Sequence, residues 1–120
     1  MQITIYHNNR CRKSREGLNY LLEKGLRPEV IEYLKTPLSP QQWQKIFASI
    51  AKKPSEMVRT QEALWKSDYK GKQLSEKLLL DILAEHPKLI ERPIVIQDQL
   101  GVLARPLDHL VEFLEKIDAV

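Results

Sequence analysis

The sequence contains only one cysteine among its 120 residues. A single cysteine cannot form a disulfide within the chain, so we expect a protein of a reducing compartment. The first residues also lack the basic stretch, the longer apolar stretch and the small-residue cleavage site of a secretory signal. Together these two absences predict a cytoplasmic protein.

Long hydrophobic runs and a strong charge of one sign are missing as well. Apolar runs are interrupted within a few residues, whereas a membrane-spanning helix needs about 20 apolar residues in succession. Nineteen lysines and arginines against sixteen aspartates and glutamates leave a net charge of +3, which falls short of the clustered excess expected of a nucleic-acid-binding domain. We therefore expect neither a membrane nor a nucleic acid as partner, and a small anionic ligand fits this charge better.

The length and composition are those of one globular domain. Hydrophobic residues at 42% and charged residues at 29% are ordinary values, and no internal repeat or low-complexity segment is visible. A second hydrophobic core would be hard to stabilise in a chain of this size. We predict a single domain over residues 1–120.

The N-terminal third predicts a strand, a helix and a second strand. β-forming residues occupy positions 3–6, and helical spacing of apolar residues extends over 11–24. Gly25 follows as a helix stop, and Val30 and Ile31 form the next strand. Because a βαβ crossover joins parallel strands, these two strands should pair in parallel. The apolar positions at helical spacing are Leu18, Leu21 and Leu22.

The middle third predicts helices only. Ser39 before a proline is a good cap for a helix that runs through about Ile50. Apolar residues at spacings of three and four predict further helices over 55–64 and 75–85. We therefore predict an all-helical insertion over about residues 38–90.

The last third returns to strands and closes with a helix. The β-branched run Ile94-Val95-Ile96 predicts a buried strand, residues 97–101 predict a turn, and Val102-Leu103 continue as a strand. Apolar residues at helical spacing then predict an amphipathic helix to near Lys116. The order of elements predicts an α/β fold: a mixed sheet of about four strands with flanking helices and the helical insertion.

The single cysteine lies where a strand gives way to a helix. At a helix start, unpaired backbone N–H groups and the helix dipole stabilise an anion, which favours the thiolate of Cys11. Neighbouring cations should lower the pKa further and help to bind an oxyanion. The alternatives are a buried cysteine that serves as a small hydrophobic residue, or a merely solvated basic first turn. The cations are Arg10, Arg12, Lys13 and Arg15.

Three segments of the sequence resemble one known family. They are the run Ile5-Tyr6-His7-Asn8-Asn9-Arg10-Cys11-Arg12-Lys13-Ser14-Arg15, the run Arg92-Pro93-Ile94-Val95, and Arg105-Pro106. With them, nearly the whole chain is similar to the glutaredoxin-coupled arsenate reductases and their arsenate-reductase-like relatives. The resemblance implies a thioredoxin-like fold and a role in arsenic detoxification.

The resemblance also implies a mechanism and a set of partners. The Cys11 thiolate attacks arsenate, glutathione displaces the adduct, arsenite leaves, and glutaredoxin removes the remaining glutathione. Glutathione is then a co-substrate, no cofactor is tightly bound, and the protein acts as a monomer with glutaredoxin as its redox partner. His86 and His109 have no partner at metal-ligand spacing, so no metal site is expected.

By motif, the oxyanion-binding residues of the family correspond to Arg59, Arg92 and Arg105. Three guanidinium groups suit a tetrahedral oxyanion, because each offers paired planar donors and remains charged. Each arginine considered alone, with Arg59 on a predicted helix, is also compatible with a surface position or an ion pair. The predicted supporting residues are His7, Ser14, Arg15 and Pro93, the last resembling the cis-proline that lies beside the cysteine in thioredoxin-like folds.

Other functions remain open at this point. Asn9 and the pair Arg12-Lys13 stand where the family has proline and small residues, so another oxyanion or a glutathionylated substrate of a monothiol reductase is an alternative. A transcription-associated regulator of the same fold would need a Cys-x-x-Cys pair, and position 14 is Ser14. A phosphatase-like Cys-x5-Arg loop is rejected, because Gly17 occupies the arginine position.

Overall fold

The computed structural model describes residues 2–117. In chain order the elements are β1 (Ile3–His7), α1 (Arg12–Glu23), β2 (Glu29–Glu32), α2 (Pro40–Ser49), a 3-10 turn (Pro54–Met57), α3 (Ala63–Asp68), α4 (Glu76–Glu85), a second 3-10 turn (Pro87–Leu89), β3 (Ile94–Gln97), β4 (Leu100–Leu103) and α5 (Leu107–Lys116).

The chain forms two compact units. The first unit contains the residues up to Thr36 and those from Arg92 onwards, and the second unit is Pro37–Glu91. The second unit contains the helices predicted as an insertion. That the whole chain is a single domain stays a prediction.

The first unit is built on a four-stranded sheet in the order β2-β1-β3-β4. β1 pairs with β2 in parallel and with β3 antiparallel, and β3 and β4 form an antiparallel hairpin. The mixed sheet and its flanking helices confirm the predicted α/β class.

The core of the first unit lies between this sheet and helices α1 and α5. β1 alternates buried and half-buried residues, as a strand with one face on a core must. Full burial of a side chain such as Ile5 or Leu21 stabilises the fold by about 1.5–3 kcal/mol. The buried cluster consists of Ile3, Ile5, Leu21, Val95, Ala104, Leu110, Phe113 and Leu114.

Helix α1 packs on the core through Leu21 and, partly, Leu18, but not through Leu22. Leu22 is 52% exposed, and the buried residues of the helix are Ser14, Gly17 and Leu21. A Cβ atom on Gly17 would come within 2.9 Å of Pro93 Cγ. Small residues on this face therefore let α1 approach the proline more closely than a leucine stripe would allow.

The hairpin turn is tighter than predicted. Strand β4 begins at Leu100, so Asp98 and Gln99 make the whole turn between β3 and β4. Asp98 has a φ of 58°, a left-handed conformation that aspartate tolerates better than most residues. The turn predicted over 97–101 was too long because its last residues pair with β3.

The second unit begins at a well-formed helix cap. The Ser39 hydroxyl accepts a hydrogen bond from the Gln42 backbone at 3.1 Å, and the Gln42 side chain accepts one from the Ser39 backbone at 2.8 Å. This reciprocal pair fixes the start of α2 where the sequence predicts it. Ser75 caps α4 with a single bond, in which its hydroxyl accepts from the Leu78 N–H at 3.1 Å.

The helix predicted over 55–64 is wrong. Residues Pro54–Met57 form a 3-10 turn, Val58 pairs with Ile90 in an antiparallel bridge, and α3 starts only at Ala63. The bridge needs extended backbone, and backbone hydrogen bonds from Arg59 to Leu89 at 2.7 Å and from Glu91 to Met57 at 2.8 Å support it. Arg59 therefore lies in extended chain rather than on a helix.

Within residues 2–117 the structure contains no helix that is long and apolar enough to cross a membrane.

Candidate active site

The loop between β1 and α1 is held in place by Asn8. Its carbonyl oxygen accepts from the Cys11 N–H at 2.9 Å and its side-chain oxygen accepts from the Arg10 N–H at 3.0 Å. Its own N–H donates to Ser14 Oγ at 3.2 Å. Asn8 is only 7% exposed, so these bonds are shielded from water. Asparagine is a common turn former, but that tendency alone does not show that Asn8 holds the cysteine loop in place.

Cys11 occupies the position just before the first residue of α1. Burial alone would raise the pKa of the Cys11 thiol, but the Ser14 N–H, the Arg92 side chain and the Lys13 N–H outweigh burial and lower that pKa to about 7. The Cys11 side chain accepts no cap hydrogen bond of ordinary geometry, so both N–H groups act on the thiolate from outside that geometry. About half of Cys11 is therefore thiolate at neutral pH.

Two arginines reach the thiol from the far end of the chain. The Arg105 guanidinium nitrogen Nη1 lies 4.0 Å from Cys11 Sγ and donates to the Arg92 carbonyl oxygen at 3.3 Å. Arg92 is 8% exposed, and its side chain is the cation that stabilises the thiolate. The structure thus brings Cys11, Arg92 and Arg105 together.

The sheet register explains this meeting. Ile94 pairs with Tyr6 on one side and with Leu103 on the other. Since β3 is antiparallel to both neighbours, its first residue lies beside the last residues of β1 and β4. Arg92 before β3, Arg105 after β4 and the cysteine loop after β1 therefore lie at the same end of the sheet.

Three of the four cations next to Cys11 in sequence have side-chain contacts elsewhere. Arg12 lies 3.4 Å and Lys13 3.8 Å from the Glu16 carboxylate, and Arg12 is 84% exposed. The Arg15 guanidinium donates to the Asn9 carbonyl oxygen at 3.1 Å. Arg15 therefore braces the cysteine loop.

His7 is the last residue of β1 and is 2% exposed. Burial lowers the pKa of His7 below its ordinary value, against smaller opposing effects of Asn9 and Glu32, so its ring is mainly neutral at pH 7. Nε2 lies 3.4 Å from Asn9 Oδ1. A neutral ring in contact with Asn9 fits a role in organising the loop, which stays a prediction.

Ser14 and Pro93 are the two remaining residues predicted to support the site. The Ser14 side chain is fully buried and accepts from Asn8, while its backbone N–H faces the sulfur. The Arg92–Pro93 peptide bond is cis, as is the Arg105–Pro106 bond. The Pro93 carbonyl oxygen accepts from the Ala104 N–H at 2.9 Å, which ties the two arginine segments together.

Arg59 belongs to the second unit. Its Nε lies 3.4 Å from the Glu62 carboxylate, and its side chain is 18% exposed. Its predicted role in oxyanion binding stays a prediction.

The described residues offer no centre for a metal ion. Among residues 2–117, no group of three or more His, Cys, Asp or Glu side chains is placed to hold one. The structure places a nucleophile, the Cys11 thiol, beside the guanidinium groups of Arg92 and Arg105. A thiolate with this environment can attack the central atom of a bound oxyanion while the arginines balance the negative charge.

Residues 6–113 match the sequence profile of the ArsC family. The chain belongs to the ArsC family. Among its relatives, the uncharacterized protein YfgD of Escherichia coli K12 is 37% identical, over 94% of this chain and 97% of its own length. A Haemophilus influenzae protein named arsenate reductase is 39% identical, over 95% of this chain and its own full length.

The solved structures agree with this membership. The arsenate reductase of Vibrio cholerae superposes with a TM-score of 0.87 and 39% identity, covering 93% of this chain and 97% of that one. The ArsC family member described here therefore has the thioredoxin-like fold that the sequence resemblance implies.

Proposed function

We propose that this protein reduces arsenate to arsenite through a covalent adduct on Cys11, with glutathione and glutaredoxin supplying the electrons. The observation that carries the proposal is the Cys11 thiol, whose pKa is lowered to about 7 and which lies beside Arg92 and Arg105. The names of the relatives from Haemophilus influenzae and Vibrio cholerae support the choice of arsenate.

In the first step the Cys11 thiolate attacks the arsenic atom of arsenate. A sulfur–arsenic bond forms, and one arsenate oxygen leaves as hydroxide and takes a proton to become water. The two arginines offset the charge of the oxyanion, which would otherwise repel a thiolate. The Ser14 N–H and the start of α1 hold the sulfur in its reactive form.

In the second step a glutathione thiolate attacks the Cys11 sulfur. A disulfide bond forms, the sulfur–arsenic bond breaks, and its electron pair stays on arsenic, which is reduced from the +5 to the +3 state. Arsenite leaves after taking up protons. A glutaredoxin thiolate then attacks the glutathione sulfur and releases the Cys11 thiolate.

Arg59 is proposed as the third oxyanion ligand. The Arg59 guanidinium pairs with Glu62 at 3.4 Å, so binding of arsenate would replace one anionic partner by another. This role rests on the family resemblance of the residues around Arg59.

The test is arsenate-dependent oxidation of NADPH with glutathione, glutaredoxin and glutathione reductase present. Wild-type protein should give turnover that Cys11→Ser lacks, because a serine hydroxyl at its ordinary pKa cannot replace a thiolate. A rate equal to the no-enzyme control would refute the arsenate proposal. Turnover with glutathionylated disulfides alone would assign the protein as a monothiol reductase.

A further inference from the structure

A cavity of about 310 Å³ opens at the carboxyl ends of the two parallel strands. β1 and β2 pair in register so that His7 lies opposite Glu32. The chain continues from His7 into the cysteine loop and from Glu32 towards Lys35, and these two segments line the cavity. The cavity therefore adjoins the cysteine loop and lies within the first unit.

The cavity lies on the opposite flank of β1 from the arginines. The sheet order is β2-β1-β3-β4. Arg92 precedes β3 and Arg105 follows β4, so both arginines enter the site from the part of the sheet that lies on the β3 side of β1. The cavity is on the β2 side.

The position of the cavity on the β2 side bears on the second chemical step, in which a glutathione thiolate attacks the Cys11 sulfur. A thiolate that attacks a sulfur atom approaches in line with the bond that breaks, from the side opposite the leaving group. If Arg92 and Arg105 hold the arsenic oxygens on the β3 side, the attacking sulfur must come from the β2 side. The cavity is on that side of β1, and its lining includes Asn8, Asn9 and Arg10 of the loop that leads to Cys11.

The side chains of the cavity have the charges that glutathione would require. Glutathione carries two carboxylates and one ammonium group at neutral pH. Arg10 and Lys35 can bind the carboxylates, and Glu32, which lies 3.4 Å from Lys35, can bind the ammonium group. Leu34, 43% exposed, offers an apolar wall. The volume is at the lower end of the range of about 300–1,000 Å³ for small-molecule sites, which suits a tripeptide.

We propose that this cavity binds the glutathione that resolves the Cys11 adduct, with Lys35 and Arg10 as its carboxylate ligands. The proposal rests on the proposed function for the chemistry of the step, in which the bound thiolate forms the disulfide and arsenic takes the electron pair. Binding of the tripeptide to the cavity is a separate property and can be measured without arsenate.

The direct test uses S-methylglutathione, which cannot react, with ¹⁵N-labelled protein observed by NMR. Saturable amide shifts should centre on residues 7–10 and 32–35. Lys35→Glu should weaken binding at least about fivefold, since charge reversal removes one exposed ion pair and adds a repulsion. Lys45→Glu is the matched control, because Lys45 is an exposed lysine on α2 in the second unit and its reversal changes the net charge equally.

A kinetic test separates this inference from the proposed function. Lys35→Glu and Lys35→Ala should slow the reaction of Cys11 with oxidised glutathione but not with neutral hydroxyethyl disulfide, measured by mass spectrometry. If arsenate turnover is absent while these effects persist, the arsenate proposal fails and the glutathione site stands. If shifts centre elsewhere, or Lys35→Glu behaves like Lys45→Glu, the site is refuted whatever the arsenate result.

Discussion

Arg105 donates a hydrogen bond from Nη1 to the backbone carbonyl oxygen of Arg92 at 3.3 Å. The same nitrogen lies 4.0 Å from Cys11 Sγ. The backbone of Arg92 thus orients the Arg105 guanidinium towards the thiol. Because a guanidinium presents several donors in a fixed plane, Arg105 can keep this backbone bond and still offer donors to an oxyanion.

Arg92→Ala should raise the pKa of Cys11 towards the value of a free thiol, about 8.5. The reason is that the Arg92 side chain stabilises the thiolate by a hydrogen bond and by its charge. The measurement is the rate of iodoacetamide alkylation against pH, whose midpoint should be about 7 in the wild type. Arg12→Ala is the control and should leave the midpoint in place, because Arg12 pairs with Glu16. A midpoint for Arg92→Ala equal to that of the wild type would show that Arg92 does not stabilise the thiolate.

The stability of the protein should depend on pH through Cys11. The thiol has a folded-state pKa of about 7, below the unfolded value of about 8.5. Between these values the unfolded state binds more protons, so stability rises with pH and is lost as pH falls through about 7. Urea unfolding from pH 6 to pH 9 should show wild type gaining stability relative to Cys11→Ser. A constant difference between the two proteins over this range contradicts the lowered pKa.

Gly17→Ala should destabilise the protein, although alanine ordinarily favours a helix over glycine by about 1 kcal/mol. The new Cβ would meet Pro93 Cγ at 2.9 Å, and overpacking of this kind costs about 1–3 kcal/mol. Asn19→Ala, at an exposed position of the same helix, is the control and should be neutral or stabilising. Thermal unfolding measures both, and an increased melting temperature for Gly17→Ala would mean that the helix and Pro93 can separate without cost.

Arg59→Ala should weaken protection of Cys11 by arsenate without moving the alkylation midpoint. The groups that set the thiol charge are Ser14, Lys13 and Arg92, whereas Arg59 is proposed to bind only the oxyanion. Alkylation in the presence and absence of arsenate gives both quantities. Undiminished protection would remove Arg59 from the site and leave it as the partner of Glu62.

Much of the local structure follows from short-range signals. The cap at Ser39, the stop at Gly25 and the cysteine at a strand-to-helix junction are each set by residues a few positions apart, and each prediction is confirmed. Gly25 adopts a φ of 79°, which is accessible to glycine without strain. The position of the single cysteine at the start of a helix could therefore be predicted from the sequence.

The environment of that cysteine was decided by tertiary structure. The side chains of Arg12, Lys13 and Arg15 contact Glu16 or Asn9, whereas the cationic side chain that stabilises the thiolate is that of Arg92. Arg105, 94 residues from Cys11, reaches the sulfur because antiparallel pairing returns its segment to the end of β1. Helical spacing likewise could not show that Val58 pairs with Ile90, or that Pro93 requires a glycine on α1. Propensity and capping act over a few residues, but strand register and close packing join residues far apart in the chain, and only the folded chain fixes which of them meet.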